Sequence, residues 1–243
     1  MGSKNRIAKR IVPIIQSYID NNVTDRYYEP FVGGANIIDK INSSHKYASD
    51  LNPYLIALLV HVKSGGQLYD SVSKQLYDKA RTAYNSGNTS EFEDWQIGNI
   101  GFVASYNGRW FDGGYAKPGY EKTKSGERYR DYYREASDNL RMQAPNLKDI
   151  IFKCCDYREA HPHGFVIYCD PPYANTKKYA NAQIFDYDEF WDKMREWSKD
   201  NIVIVSEQTA PNDWKSIWEQ SVSRSIKPSD KRTATEKLFL IKE

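Results

Sequence analysis

Asp170-Pro171-Pro172-Tyr173 places a carboxylate, two rigid residues and an aromatic ring in four consecutive positions. The run before it, Gly164-Phe-Val-Ile-Tyr-Cys169, is short and apolar, opened by glycine and stopped by the paired prolines, which is the pattern of a buried strand. The tetrapeptide is therefore expected at the carboxyl end of a central strand, the edge where ligands bind in open α/β sheets. Proline fixes φ and lacks an N–H, so the backbone there is stiff and its carbonyls can accept bonds from a ligand. A carboxylate and a carbonyl accepting from an amino group, beside a ring that stacks on a flat partner, suit chemistry on the exocyclic amine of a nucleobase. Asp-Pro-Pro is also an ordinary strand-to-loop stop, and spacing alone does not separate the two readings.

Other candidates need elements to bring them to the same edge. Phe31-Val-Gly33-Gly34-Ala-Asn36 follows a strand candidate (Val23–Glu29), and a helix is expected to restart at Ala35-Asn36. Glycines there allow close backbone approach to a ligand, and a helix N-terminus favours polar or anionic groups. The spacing is not the Gly-x-Gly-x-x-Gly dinucleotide fingerprint, and Gly-Gly between strand and helix is often only a turn. Asp50 ends a second strand, His45–Ser49, where an acidic residue takes ribose hydroxyls in nucleotide-binding domains or, alternatively, serves the next helix. Lys4 alone reads as a solvated lysine, and Asp156-Tyr157 as a turn after a strand at Ile150–Lys153.

Ile7, Ile11, Ile14, Ile15 and Tyr18 recur at helical spacing, so the chain opens with an amphipathic helix. Asn52-Pro53 supplies an N-cap and a proline at the first helical position, and Gly65-Gly66 closes that helix. Strand, helix, strand, helix begins a doubly wound sheet. From about Gln67 to Gln143 the pattern turns helical and polar, with a capping box at Ser90–Glu93 and a helical stretch at Gly126–Met142. Between them Ser105–Lys117 is rich in turn residues and aromatics, so a hairpin is expected there. The sheet pattern resumes at Ile150–Lys153, Phe165–Cys169 and Asn201–Ser206, with a helix at Tyr187–Lys199, and ends in an antiparallel pair, Ser221–Ile226 and Lys237–Lys242. The division is residues 1–66 and 144–243 as one α/β domain, with 67–143 as an insertion.

Composition bounds the function. A 243-residue chain with 40% hydrophobic residues has enough material for a core, and a net charge of +2 means that any nucleic-acid surface must be local. The 19 Tyr and 6 Trp mostly pack, but base stacking draws on the same residues. Cys154, Cys155 and Cys169 have no Cys-x-x-Cys spacing, which argues against a zinc site, a redox pair or a disulfide framework and fits a reducing, cytoplasmic setting. No metal site, signal peptide or membrane span is read.

Glu29-Pro-Phe-Val-Gly-Gly, Ser49-Asp-Leu-Asn-Pro, Phe152-Lys-Cys-Cys-Asp156 and Asp170-Pro-Pro-Tyr173 stand in the order found in the Dam-type (D12-class) DNA adenine-N6 methyltransferases. The chain resembles their phage- and prophage-encoded branch from Gly2-Ser-Lys4 to Glu236-Lys-Leu-Phe239. The resemblance implies the α/β S-adenosylmethionine-dependent methyltransferase fold, a mixed seven-stranded sheet with helices on both faces, and a target-recognition insertion. It implies S-adenosyl-L-methionine held by Lys4, Phe31, Gly33, Gly34, Asp50, Leu51, Asp156, Tyr157 and Asp170, and a catalytic Asp170, Pro171, Pro172 and Tyr173. The family usually has an aromatic residue four positions before the lysine matching Lys4; here the chain starts at Met1, so that contact is expected to be lost or replaced.

In this reading Asp170 and the Pro171 carbonyl accept the hydrogens of a flipped adenine's N6 amine, directing its lone pair at the methyl group, while Tyr173 stacks on the base. The partner is double-stranded DNA, bound by a monomer or weak dimer. Asn107-Gly108-Arg109 in the expected hairpin would read bases with Tyr106, Trp110 and Lys117, since a ribbon fits the major groove and arginine reads guanine. Arg109 follows Asn-Gly more closely than in GATC-reading relatives, which leaves the target open. Lys122, Lys124, Arg128 and Arg130 would touch phosphates, unless their interleaved acids make them a solvated helix face. Cytosine-N4 enzymes more often carry Ser, and RNA or protein-amide enzymes Asn, where this chain has Asp170. A silent DNA-binding module and a nicotinamide-dependent dehydrogenase are the rivals from other classes.

Overall fold

The computed structural model describes residues 4–21, 24–123, 126–172, 185–225 and 231–241. Helix α1 (Asn5–Asp20) buries Ile7, Ala8, Ile11, Ile15 and Ile19, the stripe its periodicity demands. Strands β1 (Arg26–Glu29) and β2 (His45–Asp50) follow, then α2 (Pro53–Lys63). The α2 start is as its sequence dictates: the Asn52 side chain accepts the N–H groups of Tyr54 and Leu55 at 3.0 and 3.1 Å, with Pro53 at the first position. Between α2 and the next strand of the main sheet lies a topological insertion that adds no strand to that sheet: α3 (Lys74–Asn85), α4 (Asp94–Gly98) running into a π-helical turn at Asn99–Val103, strands β3 (Gly119–Thr123) and β4 (Gly126–Arg130), and α5 (Tyr132–Gln143). The chain then forms β5 (Ile150–Cys154), β6 (Val166–Cys169), α6 (Tyr187–Trp197), β7 (Ile202–Glu207), β8 (Trp214–Ser225) and β9 (Lys231–Ile241).

Seven strands make one mixed sheet in the order β5-β2-β1-β6-β7-β9-β8, parallel from β5 to β7, with β9 antiparallel to β7 and β8 antiparallel to β9. The central strands are apolar on both faces, and successive residues go to opposite sides. Tyr27, Val166, Tyr168 and Ile204 pack with α1, α2 and the insertion, while Tyr28, Ile167, Cys169, Val203 and Val205 pack with α6. Insertion residues such as Tyr77, Ile97, Ile100 and Leu140 belong to the first of these cores. After β1 the chain winds one way to β2 and β5, and after β6 the other way to β7. The β1/β6 boundary is therefore the switch point, where doubly wound sheets open a crevice at their carboxyl ends.

Four local expectations are corrected. No α-helix restarts at Ala35-Asn36; Gly33 and Ala35 adopt φ of +50° and +54°, and this reversal leaves only a 3-10 turn at Ile38–Lys40. The stretch at Gly126–Met142 is part strand, part helix: Gly126–Arg130 pairs with Gly119–Thr123, and α5 begins only after Asp131, whose side chain accepts the Arg134 N–H at 3.0 Å. The expected hairpin at 105–117 is instead a loop closed by one antiparallel bridge between Ser105 and Tyr115, with a 3-10 turn at Tyr106–Gly108. Positive φ at Asn107, Gly108 and Phe111 breaks any ribbon there, and the real two-stranded ribbon lies just downstream. Ser90 bonds Asn88 locally, and the capping box is Glu93 with Gln96, whose side chain accepts the Glu93 N–H at 2.9 Å.

Candidate active site

Three carboxylates end three neighbouring parallel strands: Glu29 at the end of β1, Asp50 at the end of β2 and Asp170 one residue past β6. Asp50 is held by backbone: its Oδ2 accepts the Gly33 N–H at 3.1 Å and its Oδ1 the Asn52 N–H at 3.0 Å. This ties the end of β2 to the glycine turn after β1. Gly33 has positive φ and open space where a Cβ would stand, so the turn presents bare backbone. Leu51, beside it, leaves 61% of its surface exposed, an apolar surface next to a fixed carboxylate.

Lys4 reaches this edge from the start of α1. Its Nζ lies 3.3 Å from Asp170 Oδ1 and 2.8 Å from Glu236 Oε2 on β9, and all three side chains are mostly buried. Position near the amino terminus suggested a solvated lysine; the fold makes it a charge partner. Burial pushes the Asp170 carboxyl up to about 6, with Lys4 opposing the rise and Glu236 adding to it. Glu29 is more extreme. Burial carries it up to about 8, against the pull of the Tyr27 hydroxyl, which donates to its Oε1 at 2.7 Å. Asp50 is raised by burial and held down by the N–H groups of Asn52, Gly33 and Leu51.

Phe31 and Tyr157 bring the remaining motifs together, with ring centroids 5.1 Å apart, and both pack on Phe190 of α6. Asp156 caps the 3-10 turn at Tyr157–Glu159 and is held by the Arg158 guanidinium, whose bond keeps it below the usual carboxylate range. Lys4, Phe31, Gly33, Gly34, Asp50, Leu51, Asp156, Tyr157 and Asp170 thus share one sheet edge. Pro171 is buried, and the Pro172 carbonyl accepts a bond from the Tyr187 hydroxyl. Tyr173 lies outside the described residues.

Sequence reading gave no role to Glu29, Glu236 or Gln143. Glu29 carries the same signal as Asp50 and Asp170, an acid at the end of a strand, but stands inside a motif whose glycines are the stronger feature. Glu236 shows its partner only in three dimensions, 232 positions from Lys4.

The insertion separates the proposed DNA-facing residues. Trp110 is packed against Tyr54, Tyr84 and Phe102, and so is a core residue. Tyr106, Asn107, Arg109 and Lys117 are exposed on the closed loop, off any ribbon. On the β3–β4 ribbon, Tyr120 and Tyr129 stand directly opposite each other, 75% and 55% exposed, with Lys122 on the same face. Arg128 and Arg130 lie on the other face. Arg130 is bonded to Glu135 of α5 at 3.1 and 2.5 Å, lies 3.6 Å from Glu121 and sits over the Tyr132 ring, so it fastens the ribbon to α5. Lys124 lies outside the described residues.

A mixed seven-stranded sheet with three carboxylates at the carboxyl ends of adjacent strands, flanking its switch point, is the architecture of a nucleotide-type α/β domain. Residues 1–208 match the family described as D12 class N6 adenine-specific DNA methyltransferase, and the chain belongs to that family, with its S-adenosylmethionine-dependent methyltransferase fold. It is 27% identical over 182 residues to a DNA adenine methylase of Haemophilus influenzae, covering 67% of this chain and 59% of that protein. A DNA adenine methylase of Vibrio cholerae is 27% identical over 169 residues, 63% of this chain and 58% of its own length. The chain spans about three fifths of the length of these relatives. No helix among the described residues is long and apolar enough to cross a membrane.

Proposed function

We propose that this chain methylates the N6 amine of adenine in double-stranded DNA, with S-adenosyl-L-methionine as methyl donor. The observation that carries this reading is the placement of the Asp170 carboxylate, buried and paired with Lys4, on the same sheet edge as the backbone-fixed Asp50. The donor set fits that cofactor. Asp50 offers acceptors to a ribose diol, Leu51 an apolar face to the adenine ring, and Lys4 and Asp170 opposite charges to an amino-acid head, beside the open backbone of Gly33. When bound, the cofactor supplies an electrophilic methyl group.

The protein's share of the chemistry is orientation. Adenine N6 is a weak nucleophile because its lone pair is delocalised into the ring. The Asp170 carboxylate and the Pro171 carbonyl accept its two hydrogens, which fixes the amine and turns its lone pair outward. Asp170 must be ionised to accept, and Lys4 favours that form. Pro171 and Pro172 keep the carbonyls in place, and Tyr173 stacks on the flipped base. The insertion at 67–143 is the DNA-facing unit, with the β3–β4 ribbon rather than the 105–117 loop as the element of groove-entering shape. Its exposed Tyr120 and Tyr129 pair adds stacking surface.

The test is methyl transfer from labelled S-adenosylmethionine to duplex DNA, with the product nucleoside identified by mass spectrometry. N6-methyladenine that disappears in Asp170→Ala supports the reading. N4-methylcytosine, methylation of RNA alone, or no transfer despite DNA binding would overturn it.

A further inference from the structure

Gln143 is the last residue of α5, and its side chain crosses to the turn after β1. Its Nε2 lies 3.1 Å from the Gly34 carbonyl oxygen, 2.9 Å from that of Ala35 and 3.1 Å from Asp39 Oδ2. One amide group thus shares two hydrogens among three acceptors of a single turn. That turn contains two left-handed residues, Gly33 and Ala35, and Ala35 has a Cβ that disfavours this conformation. Two outside anchors hold it: the Asp50 carboxylate takes the Gly33 N–H, and Gln143 takes the next two carbonyls.

The second anchor comes from the insertion, over a hundred positions away in sequence. α5 is itself well fixed. The Tyr133 hydroxyl lies 2.9 Å from both the Tyr69 carbonyl oxygen and Asn99 Oδ1, Leu140 is buried, and Glu135 in the first turn is bonded to Arg130 of the ribbon. Over its 12 residues α5 is a strut of roughly 18 Å with the ribbon at one end and the glycine turn at the other.

We propose that Gln143 is a positioning residue for the cofactor, setting the glycine turn from within the insertion. This rests on the methyltransferase reading above. Gln143 touches no reacting atom; it fixes the carbonyls of the turn that faces the cofactor, so the insertion governs cofactor affinity as well as DNA binding.

The experiment measures S-adenosylmethionine binding by calorimetry, together with Tm and KM for duplex DNA, in wild type, Gln143→Leu and Gln143→Glu. Gln143→Leu is expected to weaken cofactor binding about tenfold, the scale of one or two lost bonds, with KM for DNA unchanged. In Gln143→Glu a carboxylate would face two carbonyls and Asp39, whose own charge is bonded by Lys40 at 2.8 and 3.0 Å. Arg141 and Asp138 of α5 pair with each other at 2.9 Å. The glutamate variant should therefore bind more weakly than the leucine variant at pH 8. It should recover relative to wild type towards pH 5.5, as the acid takes up a proton and regains a donor. A merely structural role would lower Tm, cofactor affinity and DNA affinity together, and would overturn the proposal. Cofactor affinity within about twofold of wild type in both variants would overturn it as well. Failure of the wild type to bind S-adenosylmethionine would bring down the methyltransferase reading too; binding by wild type with unaltered variants would bring down this proposal alone.

Discussion

The carboxyl edge of the sheet and the ribbon of the insertion hold their ionisable groups in different ways. At the edge, Glu29, Asp50, Asp170 and Lys4 are largely withdrawn from solvent, each fixed by a bond to a named partner, and the carboxylates are displaced upward. On the ribbon, Lys122 stands in solvent beside an exposed tyrosine pair, while Arg130 is neutralised locally by Glu135 and Glu121. Fixed charges withdrawn from water are worth far more per group than exposed ones. The proposed function accordingly assigns preorganised chemistry to the edge, and adaptable, salt-sensitive contact to the ribbon. Substitutions at the edge should be severe and individual, those on the ribbon mild and graded.

The largest effect is expected at Asp170. Asp170→Ala should lower turnover by about 10²–10³, the scale of removing one preorganised electrostatic contact. The proposed role needs Asp170 as a carboxylate, and burial raises it to about 6, so wild-type activity should climb as pH rises through about 6. Lys4→Met removes the group that opposes that rise, so the acid limb should move to higher pH. Single-turnover rates across pH 5–8 measure both. Substantial activity in a folded Asp170→Ala variant would place the chemistry elsewhere.

Asp50 tests whether the edge binds as well as reacts. Asp50→Ala should weaken S-adenosylmethionine by about ten- to a hundredfold, since bonds to a charged acceptor are worth roughly 1.5–3 kcal/mol. Calorimetry on the folded variant measures this, and unchanged affinity would remove Asp50 from the pocket.

Glu29 sharpens the comparison through stability. Its folded value of about 8 lies above the ordinary 4.5, so protonation favours the folded chain. This stabilisation is complete below about pH 4.5 and is lost as pH rises through about 8. Glu29→Gln has no proton to lose and keeps an acceptor for the Tyr27 hydroxyl. It should exceed wild type in stability by about 4 kcal/mol at pH 8, with the gain shrinking to under about 1 kcal/mol at pH 5. Urea unfolding at the two pH values reads the difference directly. A pH-independent difference would mean that Glu29 is ionised throughout.

Much of the edge was legible in the sequence because it is written in local patterns. Apolar runs ending in an acid, a glycine pair after a strand and Asn-Pro before a helix each report a strand end or a cap, and parallel strands put those ends on one side. What was not legible depends on long-range contact. Lys4 meets Glu236 only because β9 joins the sheet beside β7, and Gln143 meets Gly34 only because α5 lies across the turn. In the insertion, turn residues are ambiguous signals. Asn107-Gly108 looked like a hairpin tip, but core packing of Trp110 and Phe111 bent that segment into a loop. The real ribbon, with its alternating charges, looked like a solvated helix face, because period 2 over five residues is a weak signal.

The smallest effects should come from the ribbon and the loop, and they distinguish positioning from reading. Lys122 is exposed on the face shared with Tyr120 and Tyr129, so its contact with DNA would be to phosphate and independent of sequence. Lys122→Ala should weaken all duplexes alike and flatten the salt dependence, lowering the slope of log affinity against log salt by about one. Arg130→Ala removes a fastening rather than a contact, because Arg130 already holds Glu135. It should weaken DNA binding without lowering that slope. Arg109, on the closed loop, tests whether base reading left the loop with the ribbon. If it reads a base, Arg109→Ala loses about 1–3 kcal/mol of discrimination at one position. If the ribbon reads instead, the preference for cognate over single-mismatch sites is unchanged, while a ribbon substitution such as Tyr129→Ala erodes it. Methylation rates on a set of single-mismatch duplexes, at two salt concentrations, separate these outcomes, and an Arg109→Ala variant with narrowed discrimination would return base readout to the loop.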